Sequence, residues 1–265
     1  MGETTAPKPA HLGPEFGSQF GDPSVVAAYR YRPPYPSEIL DVLARLAVEP
    51  RTVLDAGCGT GAIARGLVGR VDRIDAVDPS PGMLAAGREL PGGDQPGLRW
   101  VLGTAEDAPL RPPYGLVVAA SSLHWMDWPV VLPRFRDALA PGAVLAVVSE
   151  RVRPAPWDAD LASVIARFST NRGYQPYDLV EELETRGLFR PLGSHAVVPV
   201  PFAQPVRAYV ESFHARNGFS RDRMDPAEAS AFDRASAAAV APYCPEGVVH
   251  LDVAAEVVWG EPPPG

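Results

Sequence analysis

The residue types best suited to chemistry form a glycine-rich run after a short apolar stretch near residue 52. Asp55 ends that stretch, and Gly57, Gly59 and Gly61 follow at alternate positions. Glycine has no Cβ and tolerates positive φ, so the backbone of such a loop can approach a ligand closely. The helix predicted over Ala62–Val68 directs its N–H groups and positive dipole end at the same point. The run therefore predicts a nucleotide-type binding site.

The spacing of the glycines separates two classes of nucleotide site. Dinucleotide-binding turns have the spacing G-x-G-x-x-G, whereas this chain has G-x-G-x-G after an acidic residue, which disfavours a nicotinamide-dependent dehydrogenase. The segment Asp55-Ala56-Gly57-Cys58-Gly59-Thr60-Gly61 resembles the first motif of the class I S-adenosylmethionine-dependent methyltransferases. In this loop Cys58 is expected to be a small residue beside the cofactor, since nothing in the sequence indicates a lowered thiol pKa.

Further motifs resemble the same family, in the same order along the chain. A carboxylate about 20 residues beyond the glycines suits two vicinal ribose hydroxyls, so Asp78 is expected to bind the ribose; the alternative is a cap on the next helix. The resemblance implies contacts to the adenine from Pro79, Ser80 and Met83, contacts at its amino edge from Thr104, Ala105 and Glu106, and contacts to the methionine part from Ser121 and Trp125. Two alternatives stay open: Glu106 as a solvated loop residue and Trp125 as a core aromatic.

The segment before the first strand carries aromatic and arginine residues. Residues 29–36 resemble the lead-in Y-x-R-x-R-P-x-Y-P of type 11 methyltransferases. The resemblance implies that Arg32 pairs with the methionine carboxylate of the cofactor, which the planar guanidinium fork suits, with Tyr29 beside it. The alternative interpretation gives this segment only structural roles, with Arg30 in a surface ion pair and Tyr31 in packing.

The chain contains five histidines, of which two are candidates for a catalytic base. His124 follows the fourth predicted strand, where the reactive methyl group lies in this family, and it either accepts the proton of a hydroxyl acceptor or shapes the pocket wall. His214, on a predicted lid helix, is the alternative base. His, Cys, Asp and Glu show no zinc-type spacing, so no metal is expected.

Short apolar runs alternate with helical patterns over residues 40–148, which predicts βαβ units and a parallel sheet. Strands are expected at residues 52–55, 73–78, 98–103, 115–120, 143–148, 194–201 and 248–259. The expected fold is α/β: a seven-stranded Rossmann-like doubly wound sheet, mostly parallel with an antiparallel last strand, and a helical lid insertion. Residues 1–17 are expected to be a disordered tail. Residues 18–150 are expected to hold the lead-in and cofactor core, and residues 151–260 the lid, the substrate-binding helices and the last two strands.

Composition limits the classes of partner. The 265 residues are 46% hydrophobic, enough for a full core, and the net charge of −8 disfavours non-specific nucleic-acid binding. No apolar run approaches the roughly 18 residues of a membrane helix, and no signal peptide is recognisable. A cytoplasmic protein without a nucleic-acid or membrane partner is expected, and the oligomeric state stays open.

These patterns lead to one expected function and one alternative. The resemblance implies a methyltransferase that uses S-adenosylmethionine, yields S-adenosylhomocysteine, and acts on a small molecule. Methylation at oxygen in specialised (natural-product) metabolism is the favoured reading, with nitrogen and carbon acceptors open. The alternative is a member of the fold that binds the cofactor but catalyses a non-methylating reaction or acts as a regulator.

Overall fold

Apolar, β-branched runs form the strands of one mixed sheet in the computed structural model, which describes residues 8–175 and 177–263. The strands are β1 Thr52–Ala56, β2 Arg73–Asp78, β3 Leu98–Leu102, β4 Tyr114–Ala120, β5 Leu139–Val152, β6 Arg190–Ala196, β7 Val200–Pro205 and β8 Val248–Glu261. Their order across the sheet is β3-β2-β1-β4-β5-β8-β6, and β7 also pairs with β8. Adjacent strands among β1 to β5 are parallel, and β8 is antiparallel to β5, β6 and β7. The predicted α/β fold with an antiparallel last strand is confirmed.

The sheet differs from the expected seven strands near residue 198. The segment expected as one strand over residues 194–201 belongs to two strands, β6 and β7, which pair with opposite halves of β8. Ala196 lies opposite Glu256 and Val200 opposite Val253, so three residues face two across the interruption. Pro199 lies in this interval and has no N–H to donate, so it cannot continue the ladder. The fifth strand begins earlier than the expected residue 143, because residues 139–142 are part of β5, beside a register shift opposite β4.

Ten α-helices connect or cover the strands of the described ranges: α1 Pro14–Gly17, α2 Pro23–Ala28, α3 Glu38–Leu46, α4 Ala62–Leu67, α5 Pro81–Glu89, α6 Trp128–Ala138, α7 Asp158–Phe168, α8 Leu179–Thr185, α9 Val206–Phe213 and α10 Pro226–Val240. Amphipathic spacing explains how they attach. In α3, for example, the buried Ile39, Val42 and Leu43 recur at helical spacing and face the sheet. No helix in the described ranges is both long and apolar enough to cross a bilayer.

Each face of the sheet has its own apolar cluster. One face packs against α3 and α4, and the other packs against α6 and α8 through side chains such as Trp128, Phe135 and Leu183. A third cluster joins α7, α9 and α10 to β7 and β8 through Trp157, Phe213 and Phe232. We call α7, α9 and α10 the helical cap. The predicted lid therefore corresponds to α9 and α10 together with α7, whereas α8 packs against the sheet.

The N-terminal segment is more ordered than expected where the structure describes it. Residues 1–7 lie outside the described residues, but a 3-10 turn at Ala10–Leu12 and helix α1 follow, and Leu12 is 2% exposed within a core cluster. The carbonyl of Phe16 accepts a hydrogen bond from Asn217 Nδ2 at 3.1 Å, next to the cap. The expected disordered tail is therefore wrong for residues 8–17, because buried apolar side chains and long-range hydrogen bonds hold them. The boundaries at residues 150 and 151 stay a prediction.

Candidate functional site

The glycine loop leaves the carboxyl end of β1 and is held closely on two sides. Gly57, Gly59 and Gly61 have φ values of +69°, +56° and +74°. A Cβ on Gly57 would lie 2.6 Å from the Cβ of Ser122, and one on Gly61 would overlap the ring of Trp100. The atoms nearest to a Cβ on Gly59 would be those of the Tyr29 side chain, at 3.4 Å or more. Gly59 is thus the loop glycine with the least crowded surroundings, and the Tyr29 ring lies against it.

Asp55 and Cys58 lie within the packed part of this loop. Asp55 is 1% exposed and its Oδ2 accepts from the backbone N–H of Ala64, which ties β1 to α4. Burial, and to a lesser degree the charge of Asp78, raises the pKa of Asp55 to about 7. Burial and the two carboxylates also raise the pKa of the Cys58 thiol well above its usual value. Cys58 is therefore unsuited to act as a nucleophile, as its sequence context suggested.

Asp78 lies at the end of β2 and connects the loop to the next helix. Its Oδ2 accepts from Gly59 N at 2.8 Å, and its Oδ1 accepts from Ser80 N at 2.9 Å. Burial raises the pKa of Asp78, although these two hydrogen bonds oppose the shift. The capping role belongs to Ser80, whose hydroxyl accepts from Met83 N at the start of α5. Each carboxylate oxygen has two lone pairs, so Asp78 can still accept from a pair of hydroxyls.

The residues assigned to the adenine differ in their solvent exposure. Met83 and Ser80 are 1% and 3% exposed, and Ala105 is buried, whereas Pro79 and Thr104 are exposed. The side chain of Thr104 donates to Asp107. Glu106 is not a free solvated residue, because its Oε1 accepts from Asp127 N at the start of α6. These residues frame the ends of β2 and β3 mainly with backbone and apolar groups.

The lead-in segment places Tyr29 and Arg32 beside the loop. Arg32 Nη2 forms an ion pair with Glu150 of β5 at 2.9 Å, and its guanidinium lies over the Tyr29 ring at 5.3 Å. Arg30 instead donates to the Tyr31 hydroxyl at 2.8 Å and stacks on that ring, and the alternative of a surface ion pair for Arg30 is not found among the described residues. Tyr35, from the same segment, donates to Ser121 after β4. The lead-in is thus attached to the ends of β4 and β5.

A cavity of about 1160 Å³ lies between the carboxyl ends of β4 and β5 and the helical cap. Four of the residues chosen from the sequence line it, namely Arg32, Ser121, His124 and Trp125. The loop glycines, Asp78 and Met83 are not part of this lining. The structure therefore brings the methionine-end residues into one open space, while the residues chosen for the ribose and adenine lie in a packed neighbouring region.

His124 lines the cavity on a 3-10 turn after β4, and its ring lies 4.5 Å from that of Trp125. Burial, with smaller contributions from the positive charges of Lys8 and Arg32, lowers the pKa of His124 to about 3. The ring is consequently neutral near pH 7 and can accept a hydrogen bond. A base whose pKa lies this far below the working pH is weak, which limits proton abstraction from a hydroxyl.

His214, the alternative base, has no ring nitrogen available for an acceptor. The residue is 0% exposed; its Nδ1 bonds to the carbonyl of Phe219 and its Nε2 to Asp233 Oδ1, both at 2.7 Å. The cavity lining does not include it. His214 joins the end of α9 to α10, so its expected role as a base does not fit this position.

Sequence reasoning missed the charged cavity residues that follow the fifth strand core, among them Glu150 and Arg216. Glu150 lies past the predicted end of the fifth strand, and Arg216 follows α9 with its guanidinium over the Phe213 ring at 4.4 Å. Burial, and then the charge of Arg32, lowers the pKa of Arg216. No local motif marks either residue, because both reach the cavity only through the packing of β5 and the cap.

Residues 53–142 match the family model described as a methyltransferase domain. An uncharacterized methyltransferase of Mycobacterium tuberculosis (strain ATCC 25618 / H37Rv) is 38% identical over 147 residues, which cover 54% of this chain and 58% of the relative. Trans-aconitate 2-methyltransferase of M. tuberculosis (strain ATCC 25177 / H37Ra) is 35% identical over 133 residues, which cover 48% and 47%. The chain thus spans about half the length of these curated relatives.

Solved structures extend the similarity across the whole fold. A candidate type II methyltransferase from Anaeromyxobacter dehalogenans superposes with a TM-score of 0.62 at 25% identity, covering 88% of this chain and 99% of the other. The [4+2]-cyclase SpnF superposes with a TM-score of 0.56 at 20% identity, covering 99% and 100%. The second similarity concerns the fold alone.

Proposed function

Because this chain belongs to the class I S-adenosylmethionine-dependent methyltransferases, we propose that it transfers the methyl group of S-adenosylmethionine to an oxygen atom of a small molecule. The observation that carries the proposal is the cavity of about 1160 Å³ beside the glycine loop, which Arg32, Ser121, His124 and Trp125 line together. That volume is slightly above the roughly 300–1,000 Å³ typical of small-molecule sites, so the cavity has room for a small acceptor.

The residues near the loop fit the cofactor. Asp78 is a buried carboxylate with free lone pairs at the end of β2, and the Tyr29 ring lies against the backbone at Gly59. We propose that Asp78 accepts from the ribose hydroxyls and that the loop backbone contacts the methionine part. The remaining proposed contacts are those expected from the sequence: Tyr29, Arg32, Asp55, Gly57, Cys58, Gly61, Pro79, Ser80, Met83, Thr104, Ala105, Glu106, Ser121 and Trp125.

The chain's own residues would align the acceptor more than activate it. When bound, S-adenosylmethionine supplies a methyl group on a sulfonium, which is open to in-line displacement. Alignment of two reactants contributes on the order of 7–11 kcal/mol in favourable cases. We propose that neutral His124 forms a hydrogen bond to the acceptor through one of its ring nitrogens and that Trp125 and the cap exclude water. A role in natural-product metabolism and a cytoplasmic location stay predictions.

One sequence relative suggests which acceptor to test first. Trans-aconitate 2-methyltransferase is 35% identical to this chain over 133 residues, which makes trans-aconitate a reasonable first acceptor to test. The similarity covers 48% of this chain, so the acceptor must be identified by experiment. Phenols, alcohols and amines should be tested beside it.

The proposal is tested by titrating the purified protein with S-adenosylmethionine, S-adenosylhomocysteine and NAD in a calorimeter. We expect micromolar binding of the first two and none of NAD, followed by transfer of a radiolabelled methyl group to one of the acceptors. NAD binding alone would contradict the assignment. Cofactor binding without methyl transfer to any acceptor class would favour the non-methylating alternative.

A further inference from the structure

Arg216 lines the cavity without an ion-pair partner among the described residues. Nearby, Arg221 forms ion pairs with Glu211 and Asp233, and Arg223 forms one with Asp22. Arg216 forms no ion pair or side-chain hydrogen bond in residues 8–175 and 177–263, and its guanidinium lies over the face of Phe213. A half-buried guanidinium without a hydrogen-bonded acidic partner is energetically unfavourable, so its presence at a cavity favours an anion from outside the chain.

Three of the acidic residues in the cavity lining are already engaged. Glu150 holds Arg32 at 2.9 Å, Glu256 pairs with Arg151, and Asp178 caps α8 by accepting from Val180 N and Glu181 N. The charges of Arg32 and Glu150 both act on Arg216, and Glu150 is already paired with Arg32. Near Arg216, therefore, two guanidinium groups share the carboxylate of Glu150, which favours an anionic ligand there.

We propose that Arg216 binds a carboxylate of the acceptor, so that the substrate is a small carboxylic acid and its carboxylate oxygen is the atom methylated. The proposal rests on the proposed function and specifies its acceptor. A guanidinium presents two parallel N–H donors that match the two oxygens of a carboxylate, and stacking on Phe213 holds its plane in place.

The chemistry of a carboxylate acceptor agrees with the polar groups of the cavity. The carboxylate oxygen forms a bond to the methyl carbon as the carbon–sulfur bond breaks, and the bonding pair stays on sulfur. A negative acceptor and a positive sulfonium become a neutral ester and a neutral thioether, with no proton to remove. The reaction therefore needs no strong base, and burial has lowered the pKa of His124, the histidine in this cavity lining, to about 3.

The test uses the full chain saturated with S-adenosylhomocysteine, titrated with phenylacetate, citrate and the neutral isostere phenylacetamide. We expect an acid to bind and the amide to bind at least about 10-fold more weakly. Arg216→Met should weaken binding of the acid by about 10- to 100-fold, the range for a charge-assisted hydrogen bond, and Arg216→Lys by less. The affinity for S-adenosylhomocysteine should not change in either variant.

Arg167→Met is the matched control. Arg167 also stacks on a neighbouring phenylalanine of the cap, Phe168, but it is exposed and does not line the cavity. The Arg167→Met variant should bind the acid and the cofactor with the same affinity as the wild type. With labelled S-adenosylmethionine, the product should release volatile methanol in mild alkali, as a methyl ester does, and Arg216→Met should raise the KM for the acid more than it lowers kcat.

Three results would overturn the proposal alone, with cofactor binding intact: no acid binds, amide and acid bind equally, or Arg216→Met leaves acid binding unchanged. A loss of S-adenosylhomocysteine affinity in Arg216→Met would also overturn it, because Arg216 would then serve the cofactor's own carboxylate. If the wild type does not bind S-adenosylhomocysteine at all, the proposed function fails and this proposal fails with it.

Discussion

The region around the glycine loop and the cavity under the cap are built in different ways. The polar groups of the loop region are engaged by nearby backbone, as when Asp78 accepts from Gly59 and Ser80. The cavity is lined by residues as distant as Leu12 and Val258, and Arg216 there forms no ion pair among the described residues. The loop region thus has its hydrogen-bonding groups held in place by the backbone, whereas the cavity holds a charged side chain without a hydrogen-bonded acidic partner.

This difference matches what the comparisons with other proteins cover. The methyltransferase-domain match ends at residue 142, before Glu150 and the whole helical cap. A cofactor shared by many enzymes can be bound by a conserved arrangement of backbone groups, while the acceptor must be recognised by side chains. Substitutions should therefore have separable effects in the two regions, and the following predictions are ordered by expected size.

Two aspartates of β2 should separate folding from cofactor binding. Asp75 is fully buried and accepts from Arg99 and from the Tyr114 hydroxyl, so Asp75→Asn should lower the free energy of unfolding by about 3–5 kcal/mol. Asp78→Asn should instead weaken S-adenosylhomocysteine binding by about 10- to 100-fold. Urea unfolding and calorimetry measure the two effects. Unchanged cofactor affinity in Asp78→Asn would refute the ribose assignment.

Two glycines with the same backbone conformation should reveal how closely the loop is packed. Gly61 has φ +74° and Gly69 has φ +76°, but an added Cβ meets Trp100 at the first position and open space at the second. Both alanine variants should lose about 1–2 kcal/mol of stability through left-handed strain. Gly61→Ala should lose a further ~1–3 kcal/mol through overpacking. Equal unfolding midpoints for the two variants would show that the Trp100 ring moves aside without a loss of stability.

The two regions should also respond oppositely to pH. The folded pKa of His124, about 3, lies below its ordinary 6.5, so its contribution to stability is lost as the pH falls below about 6.5. The folded pKa of Asp55, about 7, lies above its ordinary 3.8, so its contribution is lost as the pH rises from about 4 to 7.

Variants can isolate these two contributions. The quantity to compare is the free energy of unfolding at about pH 7.5 minus the free energy of unfolding at about pH 5.5. His124→Gln should lower this difference by about 1 kcal/mol, and Asp55→Asn should raise it by about 2 kcal/mol. Urea unfolding at both pH values measures the change. A shift in the same direction for both variants would contradict the opposite environments of the loop and the cavity.

The sequence predicts the loop region well because its signals are local. Apolar runs ending at Asp55 and Asp78 mark β1 and β2, and glycine spacing marks the loop between β1 and α4. The position of His124 after β4 is predictable for the same reason. Periodicity also locates the cap helices, but it does not reveal which of their side chains face the cavity.

The remaining features depend on packing between distant segments. The position of His214 in the sequence suggests a catalytic base, but both of its ring nitrogens form hydrogen bonds, one with Phe219 and one with Asp233. Arg216 lies two residues further along and carries no signal at all, because its lack of a partner is a property of the folded chain. The composition of residues 8–17 predicts a frayed tail, because composition alone does not reveal the contacts that these residues make near the cap.

The position of β8 has a consequence for how the protein assembles. β8 is the last strand in the chain, yet it lies between β5 and the pair β6 and β7, and it is the strand with which β6 and β7 pair. During synthesis β6 and β7 therefore emerge before their hydrogen-bonding partner exists, with Leu192 and Val200 on their exposed surfaces. Such unpaired strand edges are prone to aggregation in partly folded chains. Substitutions that weaken β8 should consequently reduce the yield of folded protein more than they reduce the ligand affinity of the molecules that do fold.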